Sequence, residues 1–247
     1  MKKIYNILIL ILLVAFISSC EKELTSEGVS RITYFPEMTM TGADVIFLPL
    51  GTAYTELGVT ATEKGNQINI TTSTSGIYHS YSGNTVDANA ANKYVLKYTA
   101  TNSDGFSAFL ERVVYVAKTG DLVNSIEGLY TSTVVRNGAS GAQYTNMKYV
   151  MIWKTGTNTY QISDGIGGYY DLGRNYGSTY MASGGIVTAN NIAANDFTFG
   201  PGFPAGAFGG VVTLTSMSVD AAAKTVTFKS TWDSGYNFVV TLKQVQI

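Results

Sequence analysis

The feature that most constrains the fold is a two-residue alternation of side chains, which is clearest between residues 93 and 116. In Lys93–Thr101 apolar residues fall on every second position, the period of a strand that buries one face. Asn102–Gly105 is typical of a tight turn, because these residue types tolerate turn backbone and Gly105 can adopt a positive φ. Phe106–Val116 resumes the alternation, with Leu110, Arg112, Val114 and Val116 on one face. The region predicts an antiparallel hairpin.

Short segments of the same kind recur along the chain, separated by turn residues. They are Val45–Leu50, Tyr54–Thr62, Gln67–Thr72, Lys148–Trp153, Thr159–Ser163, Gly185–Thr188, Asp196–Phe199, Val211–Val219, Thr225–Thr231 and Phe238–Val245. Many glycines and tyrosines (26 and 17) with only 4 prolines also favour β structure with frequent turns. We predict an all-β chain. The early segments would form a β-sandwich, and the later ones an antiparallel meander that curls into a barrel or stacks as two sheets.

The first half resembles the bacterial surface-protein immunoglobulin-like domain. The resemblance rests on residues 50–62, 93–105 and 112–116. It departs from the family's usual "tDpGvtAtD" pattern at Glu56, Leu57 and Glu63, and the stretch Ser73–Asn92 is longer and more polar. The resemblance implies a sandwich that serves as a spacer or adhesion module and carries no catalytic residue.

A domain boundary is predicted at Lys118–Asp121, where the strand alternation stops. Beyond it, the opening Ile126-x-Gly128-x-Tyr130 and the closing hairpin around 219–225 resemble the second, lipocalin-like β-barrel domain of small Bacteroidetes lipoproteins of unknown function. The predicted organisation is an immunoglobulin-like sandwich at 43–118 and a β-barrel or lipocalin-like domain at 119–247.

The N-terminus has the layout of a lipoprotein signal peptide. Two lysines precede the apolar run Ile4–Ile17, which is short for a transmembrane helix and ends at Ser18-Ser19-Cys20. Ile17–Cys20 resembles the bacterial lipobox, which implies removal of residues 1–19 and acylation of Cys20. Several acyl chains would hold the mature protein on a membrane, with 20–42 as its tether. Cys20 is the only cysteine, so no disulfide forms within the chain.

The cellular location follows from that anchor. Glu21-Lys22-Glu23 resembles the surface-export signal of Bacteroidetes lipoproteins, although an ordinary solvated tether would look the same. We predict attachment to the outer membrane at the cell surface, with the periplasmic face as the alternative. A net charge of −1 with 13% charged residues argues against a nucleic-acid partner.

Catalytic and metal-binding residues are not indicated. His79 is the only histidine, has no nucleophile-elbow sequence near it, and is interpreted as a surface-loop residue. The carboxylates that a glycosidase would need are available as Asp164, Asp171, Asp196 and Asp233. Two of these lie in good turn sequences, so turn-forming aspartates are the preferred interpretation. We predict no metal site and no cofactor, because no calcium-loop spacing or phosphate-binding loop is present.

Two long glycine-rich and aromatic loops, Gly165–Gly177 and Gly200–Gly210, are the most informative candidates for binding. Tyrosine and tryptophan rings stack on sugar faces, and neighbouring polar groups bond hydroxyls. The predicted ligand-binding set is Tyr169, Tyr170, Asp171, Arg174, Asn175, Tyr176 and Trp232. The competing interpretation is that these aromatics fill the core. Trp153, inside an apolar strand, is predicted to be a core residue.

The leading functional hypothesis is a non-enzymatic surface lipoprotein. Its immunoglobulin-like spacer would present a β domain that binds a glycan or a partner protein, and polysaccharide uptake is the process that the resemblance suggests. The alternatives are a carboxylate-based glycoside hydrolase and a structural component of an envelope assembly.

Overall fold

The computed structural model describes residues 32–247. The predicted signal peptide, Cys20 and the Glu21–Glu27 segment lie outside the described residues. Over half of the chain is strand (52%) and 6% is helix, which confirms the all-β prediction. No helix among residues 32–247 has the length and apolar character needed to cross a bilayer.

The strands of the described region are numbered in chain order. They are β1 Glu37–Met40, β2 Val45–Pro49, β3 Val59–Glu63, β4 Asn66–Gln67, β5 Ile70–Gly76, β6 Tyr81–Gly83, β7 Asn92–Thr101, β8 Ser107–Ala117, β9 Gly128–Arg136, β10 Met147–Gly156, β11 Thr159–Ile162, β12 Gly185–Asn191, β13 Asp196–Phe199, β14 Phe203–Pro204, β15 Val211–Asp220, β16 Thr225–Trp232 and β17 Tyr236–Val245. Short 3₁₀ turns lie at Ala142–Tyr144, Ser178–Tyr180 and Gly206–Phe208, and a π-helical turn lies at Tyr169–Gly173.

The immunoglobulin-like region is a sandwich of two small sheets, with strand orders β1-β3-β4 and β2-β8-β7-β5-β6. The predicted hairpin is confirmed as β7 and β8, which pair from Asn92 opposite Val116 to Thr101 opposite Ser107. Alternate residues of these strands build the core, where Tyr94, Leu96, Val114 and Val116 are at most 2% exposed. The alternation in the sequence thus accounts for the packing of this region.

Two early strands differ from the prediction. The segment predicted at Gln67–Thr72 is divided between β4 and β5, which belong to different sheets. The strand predicted at Tyr54–Thr62 begins only at Val59, because Tyr54 and Glu56 take part in a side-chain cluster instead.

That cluster surrounds Arg112, which lies on the core face of β8 and is 0% exposed. Its guanidinium is 3.2 Å from the Glu56 carboxylate and also donates to the carbonyl oxygens of Thr41 and Ala43. Tyr54 and Tyr98 each donate a 2.5 Å hydrogen bond to Glu56. Burial would raise the pKa of Glu56, but the hydrogen bonds and the arginine charge outweigh burial and lower it. Glu56, which replaces the family's aspartate, is therefore part of a structural ion pair.

The second region is one nine-stranded antiparallel sheet in the order β13-β12-β11-β10-β9-β17-β16-β15-β14. The sheet curls into a half-barrel around an apolar core that includes Tyr130, Tyr160, Phe228 and Val240. Among the described residues, its edge strands β13 and β14 are not hydrogen-bonded to each other. The predicted meander is present, and the sheet curls without closing into a complete barrel.

The central strand β9 was not predicted as a strand. Its inward positions are Tyr130, Ser132 and Val134, so a polar residue interrupts the apolar stripe. Ser132 is fully buried because its hydroxyl donates to the Gly167 carbonyl at 2.7 Å. A partner that is distant in sequence thus permits a serine on the core face.

The two regions meet along an apolar seam. Tyr115 and Ala117 of β8 pack with Leu129 of β9 and with Met151 and Trp153 of β10. Trp153 is 5% exposed, as predicted for a core residue. The connecting segment is also held in place, since Gly120 donates to the Glu127 carbonyl and Gln244 donates to the Gly120 carbonyl, both at 2.8 Å.

Candidate functional site

The loop between β11 and β12 enters the open half-barrel and fills it. Two buried serines of the sheet hold it there: Ser132 donates to the Gly167 carbonyl and Ser230 to the Gly165 carbonyl, each at 2.7 Å. Gly167 has a φ of +69°, and a Cβ at this position would lie 2.6 Å from a methyl carbon of Val240. The close approach and the backbone conformation both require glycine here.

Beyond this anchor, the π-helical turn Tyr169–Gly173 places two aromatic rings against the end of the sheet. Tyr169 stacks on Tyr144 with ring centroids 4.0 Å apart. The Arg136 guanidinium lies 4.7 Å from the ring centroids of both Tyr169 and Tyr236, and it donates to the Tyr170 hydroxyl at 3.0 Å. These cation–π and hydrogen-bond contacts lock the turn as a plug in the half-barrel.

Three further rings lie next to the plug on its solvent side. They are Tyr176, Tyr180 and Phe208, and we call them the aromatic platform. Tyr176 and Phe208 are 48% and 43% exposed. Tyr180 lies 5.4 Å from Tyr176 and 4.8 Å from Phe208, centroid to centroid. Below them, Tyr170 is 4.7 Å from Phe208. The platform is therefore an exposed aromatic surface supported by buried rings.

The structure divides the predicted ligand-binding set. Tyr169, Tyr170 and Trp232 are buried, at 3%, 5% and 7% exposure. Tyr170 and Trp232 contact Phe208 from below, and Tyr169 packs on Tyr170. Arg174, Asn175 and Tyr176 are exposed, and Asp171 is half-buried. Ligand contact stays a prediction for these four residues. The sequence reasoning left Tyr180 and Phe208 out of the set, although Phe208 lies within one of the two loops it had selected.

Arg174 is positioned beside the platform by aromatic neighbours. Its Nε donates to the Tyr144 hydroxyl at 3.2 Å, and its guanidinium is 5.6 Å from the centroids of Tyr169 and Tyr170. Hydrogen bonding to Tyr144 is the main cause that raises the pKa of Arg174. The group stays charged and keeps donors available at the surface.

The candidate carboxylates do not converge on one exposed cleft. Asp164 is 2% exposed and accepts hydrogen bonds from the backbone N–H groups of Ile166 and Ala182 through Oδ1, while Oδ2 has no partner. Burial raises its pKa to about 7, with a smaller contribution from the charge of Asp171. Asp196 and Asp233 lie elsewhere, where they bond to Asn190 and to the Val211 N–H group. Within residues 32–247, no three His, Cys, Asp or Glu side chains gather closely enough to hold a metal ion.

His79 was interpreted as a surface-loop residue, and it lies at the seam in a half-buried position. Its ring meets Trp153 edge to face at a centroid distance of 4.6 Å, and burial lowers its pKa. The neighbouring Tyr78 stacks on Trp153 and donates to the Tyr149 carbonyl at 3.2 Å. This polar part of the first region therefore contacts the second region.

Cavities lie beside this seam. One of about 530 Å³ is lined by residues of both regions, including Lys93, Lys148, Asp171 and Asn175. A second, of about 340 Å³, shares the two lysines and adds Phe47 and Tyr149. These cavities have no local signature in the sequence, because their walls come from segments that are distant along the chain.

Comparison with known proteins agrees with the two-part architecture. A family model for the bacterial surface protein Ig-like domain matches residues 38–116, which confirms that resemblance. A second model, which describes a C-terminal domain, matches residues 119–244, more than half of the chain. The chain therefore belongs to the family that this C-terminal domain defines.

A solved structure has the same fold. It is the lipoprotein BT2262 from Bacteroides thetaiotaomicron, which is 24% identical with a TM-score of 0.61. The alignment covers 85% of this chain and 100% of BT2262. No curated protein matches the sequence.

Proposed function

We propose that this protein is a lipid-anchored, non-enzymatic surface lipoprotein that binds a glycan through the aromatic platform. The immunoglobulin-like region would act as the spacer between anchor and binding domain. Retention of polysaccharide at the outer membrane before uptake is the role that we assign to it. The alternative ligand for the same surface is a partner protein of the cell envelope.

The exposure of Tyr176 and Phe208 above a locked aromatic base carries the proposal. Contiguous exposed apolar surfaces mark binding sites more often than single exposed rings do, and Tyr176, Tyr180 and Phe208 form one such surface, whose ring faces can stack on sugars. Arg174 lies beside them with hydrogen-bonding groups for hydroxyls. The plug is already ordered by Arg136 and the two buried serines, so binding would cost little conformational entropy.

Two observations support the lipid anchor. Ile17–Cys20 resembles a lipobox, and the structurally similar BT2262 is itself a lipoprotein. Growth with a labelled fatty acid tests the assignment: the wild-type chain should incorporate label and Cys20→Ser should not. Labelled Cys20→Ser protein would contradict it.

The arrangement of the carboxylates supports a non-enzymatic function. Asp164, the one with a strongly raised pKa, is 2% exposed and is occupied by backbone N–H groups. A glycosidase needs two carboxyl groups that face each other across the substrate. We expect no new reducing ends when the protein is incubated with the glycans it retains, and their release would favour the hydrolase alternative.

A glycan array is the direct test of platform binding. The mature chain, made soluble by Cys20→Ser, should be retained on neutral glycans, and Tyr176→Ala or Phe208→Ala should lower retention at least tenfold. Phe109→Ala is the matched control, because Phe109 is a 57% exposed aromatic of the immunoglobulin-like region. A blank array, or equal loss in the control, would contradict the proposal.

A further inference from the structure

The two cavities at the seam share the lining residues Lys93 and Lys148, and we call the pair of cavities the seam groove. Its polar part is the cavity of about 530 Å³ and its aromatic part is the cavity of about 340 Å³. The two lysines therefore border both parts. Each volume is in the range of pockets that enclose small ligands.

Both regions of the chain are needed to build the groove. Lys93 comes from β7 of the immunoglobulin-like region and Lys148 from β10 of the half-barrel. The pairing of β10 with β9 shifts register between Lys148 and Val150, so β10 has a bulge at Tyr149. Met147 and Val150 lie in the half-barrel core, which leaves Lys148 and Tyr149 as consecutive residues outside it. The bulge thus directs a cation and an aromatic ring toward the groove together.

The aromatic part is a packed set of three rings, of which Tyr115 is buried, Tyr149 is half-buried and Phe47 is exposed. Phe47 is 38% exposed, lies 5.8 Å from Tyr115 in a stacked arrangement, and meets Tyr149 edge to face at 5.5 Å. Tyr115 and Tyr149 also pack edge to face at 5.2 Å. Their mutual contacts fix the rings before any ligand arrives, which suits them to stack on a sugar ring.

The polar part supplies hydrogen-bonding groups and a local excess of positive charge. Gln143, Asn175 and Ser178 line it, and Asp171 is its acidic residue. The two lysines outnumber that single carboxylate, although the whole chain carries a net charge of −1. Within residues 32–247, neither Lys93 nor Lys148 forms a salt bridge with a carboxylate; Lys93 lies 5.9 Å from the Tyr115 ring centroid, and its charge opposes the burial that raises the pKa of Asp171. Neither ammonium group is held in an ion pair by a described residue, so an anion in the groove could pair with both.

We propose that the seam groove is a second binding site, separate from the platform, which takes a sugar that carries a carboxylate, as in a uronic acid. The ring would stack on Phe47 and Tyr149, the carboxylate would pair with Lys93 and Lys148, and the hydroxyls would bond Asn175 and Gln143. A neutral sugar would leave both cations unpaired. The site is incomplete in either region alone.

Calorimetric titration of the mature Cys20→Ser chain with oligomers of galacturonate, glucuronate, mannuronate and guluronate tests the proposal. At least one should bind, and Lys93→Gln and Lys148→Gln should each weaken binding about tenfold or more through loss of a charge-assisted contact. The methyl ester of the same oligomer lacks the carboxylate charge, so the wild type should bind it as weakly as the lysine variants bind the free acid. Lys229→Gln, at an exposed lysine of β16, is the control and should bind as the wild type does.

The outcomes separate this site from the platform. Loss of uronate binding in Tyr176→Ala with full binding in both lysine variants would overturn the seam groove and place the ligand on the platform. Failure of all four oligomers to bind would also overturn it. If the neutral glycans alone do not bind, the platform proposal is contradicted and the seam-groove proposal is not. Thermal melting curves of each variant show whether a variant that does not bind is still folded.

Discussion

The two regions close their cores in different ways. In the immunoglobulin-like region two sheets pack on each other, and the buried charge of Arg112 is neutralised internally by Glu56. In the half-barrel the sheet stays open and the Asp164–Tyr176 loop fills it, held by Ser132 and Ser230. A core closed by two sheets needs no loop to fill it. A core filled by a loop turns the outer side of that loop into a prearranged surface, where the platform lies.

The largest expected change in stability tests the Arg112–Glu56 ion pair in the core of the immunoglobulin-like region. Arg112→Ala should lower the free energy of unfolding by about 3–5 kcal/mol, because it removes the cation that neutralises Glu56 and leaves the carbonyl oxygens of Thr41 and Ala43 without their donor. Urea denaturation measures this loss. Glu111→Gln, at the exposed neighbouring position, should change stability by less than about 0.5 kcal/mol. A loss in Arg112→Ala as small as in the control would mean that the ion pair does not hold the sandwich together.

Stability should also respond to pH with opposite signs in the two regions. The pKa of Asp164 is raised to about 7 by burial, so the folded chain binds its proton more tightly than the unfolded chain does. Its contribution is therefore fully present below about pH 4 and is lost as pH rises toward 7, at up to about 1.4 kcal/mol per pH unit. Glu56 has a lowered pKa, so its contribution is present near neutral pH and lost on acidification.

Two variants separate these contributions. Asp164→Asn should flatten the decline in unfolding free energy between about pH 4 and 7, and Glu56→Gln should flatten the decline below about pH 4.5. Unfolding free energies measured in urea at each pH give both slopes. An unchanged slope between pH 4 and 7 in Asp164→Asn would show that Asp164 does not titrate in that range.

A smaller effect tests the loop that fills the half-barrel. Gly167→Ala should cost about 2–4 kcal/mol, since it adds a strained positive φ to a collision with Val240 and Val134. Gly138→Ala has a similar φ of +78° with open space around it, so it should cost only about 1 kcal/mol. Thermal unfolding compares the two variants. Equal losses of stability in the two variants would mean that the loop can move away from the sheet at Gly167 and is not closely packed there.

The sequence predicted the parts of the fold that depend on neighbouring residues. The alternation in Lys93–Thr101 and Phe106–Val116 was sufficient for the hairpin, and Asp196–Phe199 was predicted with its observed bounds. Strand β9 was missed because the inward Ser132 is satisfied by Gly167, a partner 35 residues away. Alternation detects an apolar stripe and cannot detect such a partner.

The candidate site was predictable only in outline. The aromatic loops were selected as the binding candidates, and ligand contact there stays a prediction, but the sequence cannot tell which side of a loop enters a core. Tyr170 and Tyr176 lie six residues apart, and one is 5% and the other 48% exposed. The seam groove had no signal in the sequence, since the bulge at Tyr149 and the approach of Lys93 to Lys148 arise only in the folded chain.

The chain's two tryptophans allow the most direct test of the central claim, that ligand binds the platform above the plugged half-barrel. Trp232 lies 5.8 Å from Phe208, centroid to centroid, whereas Trp153 lies at the seam. In Trp153→Phe, titration with the neutral glycan retained best by the wild type should change the Trp232 fluorescence saturably, and Tyr176→Ala should abolish the change. A silent Trp232 together with a responding Trp153 in Trp232→Phe would contradict the account.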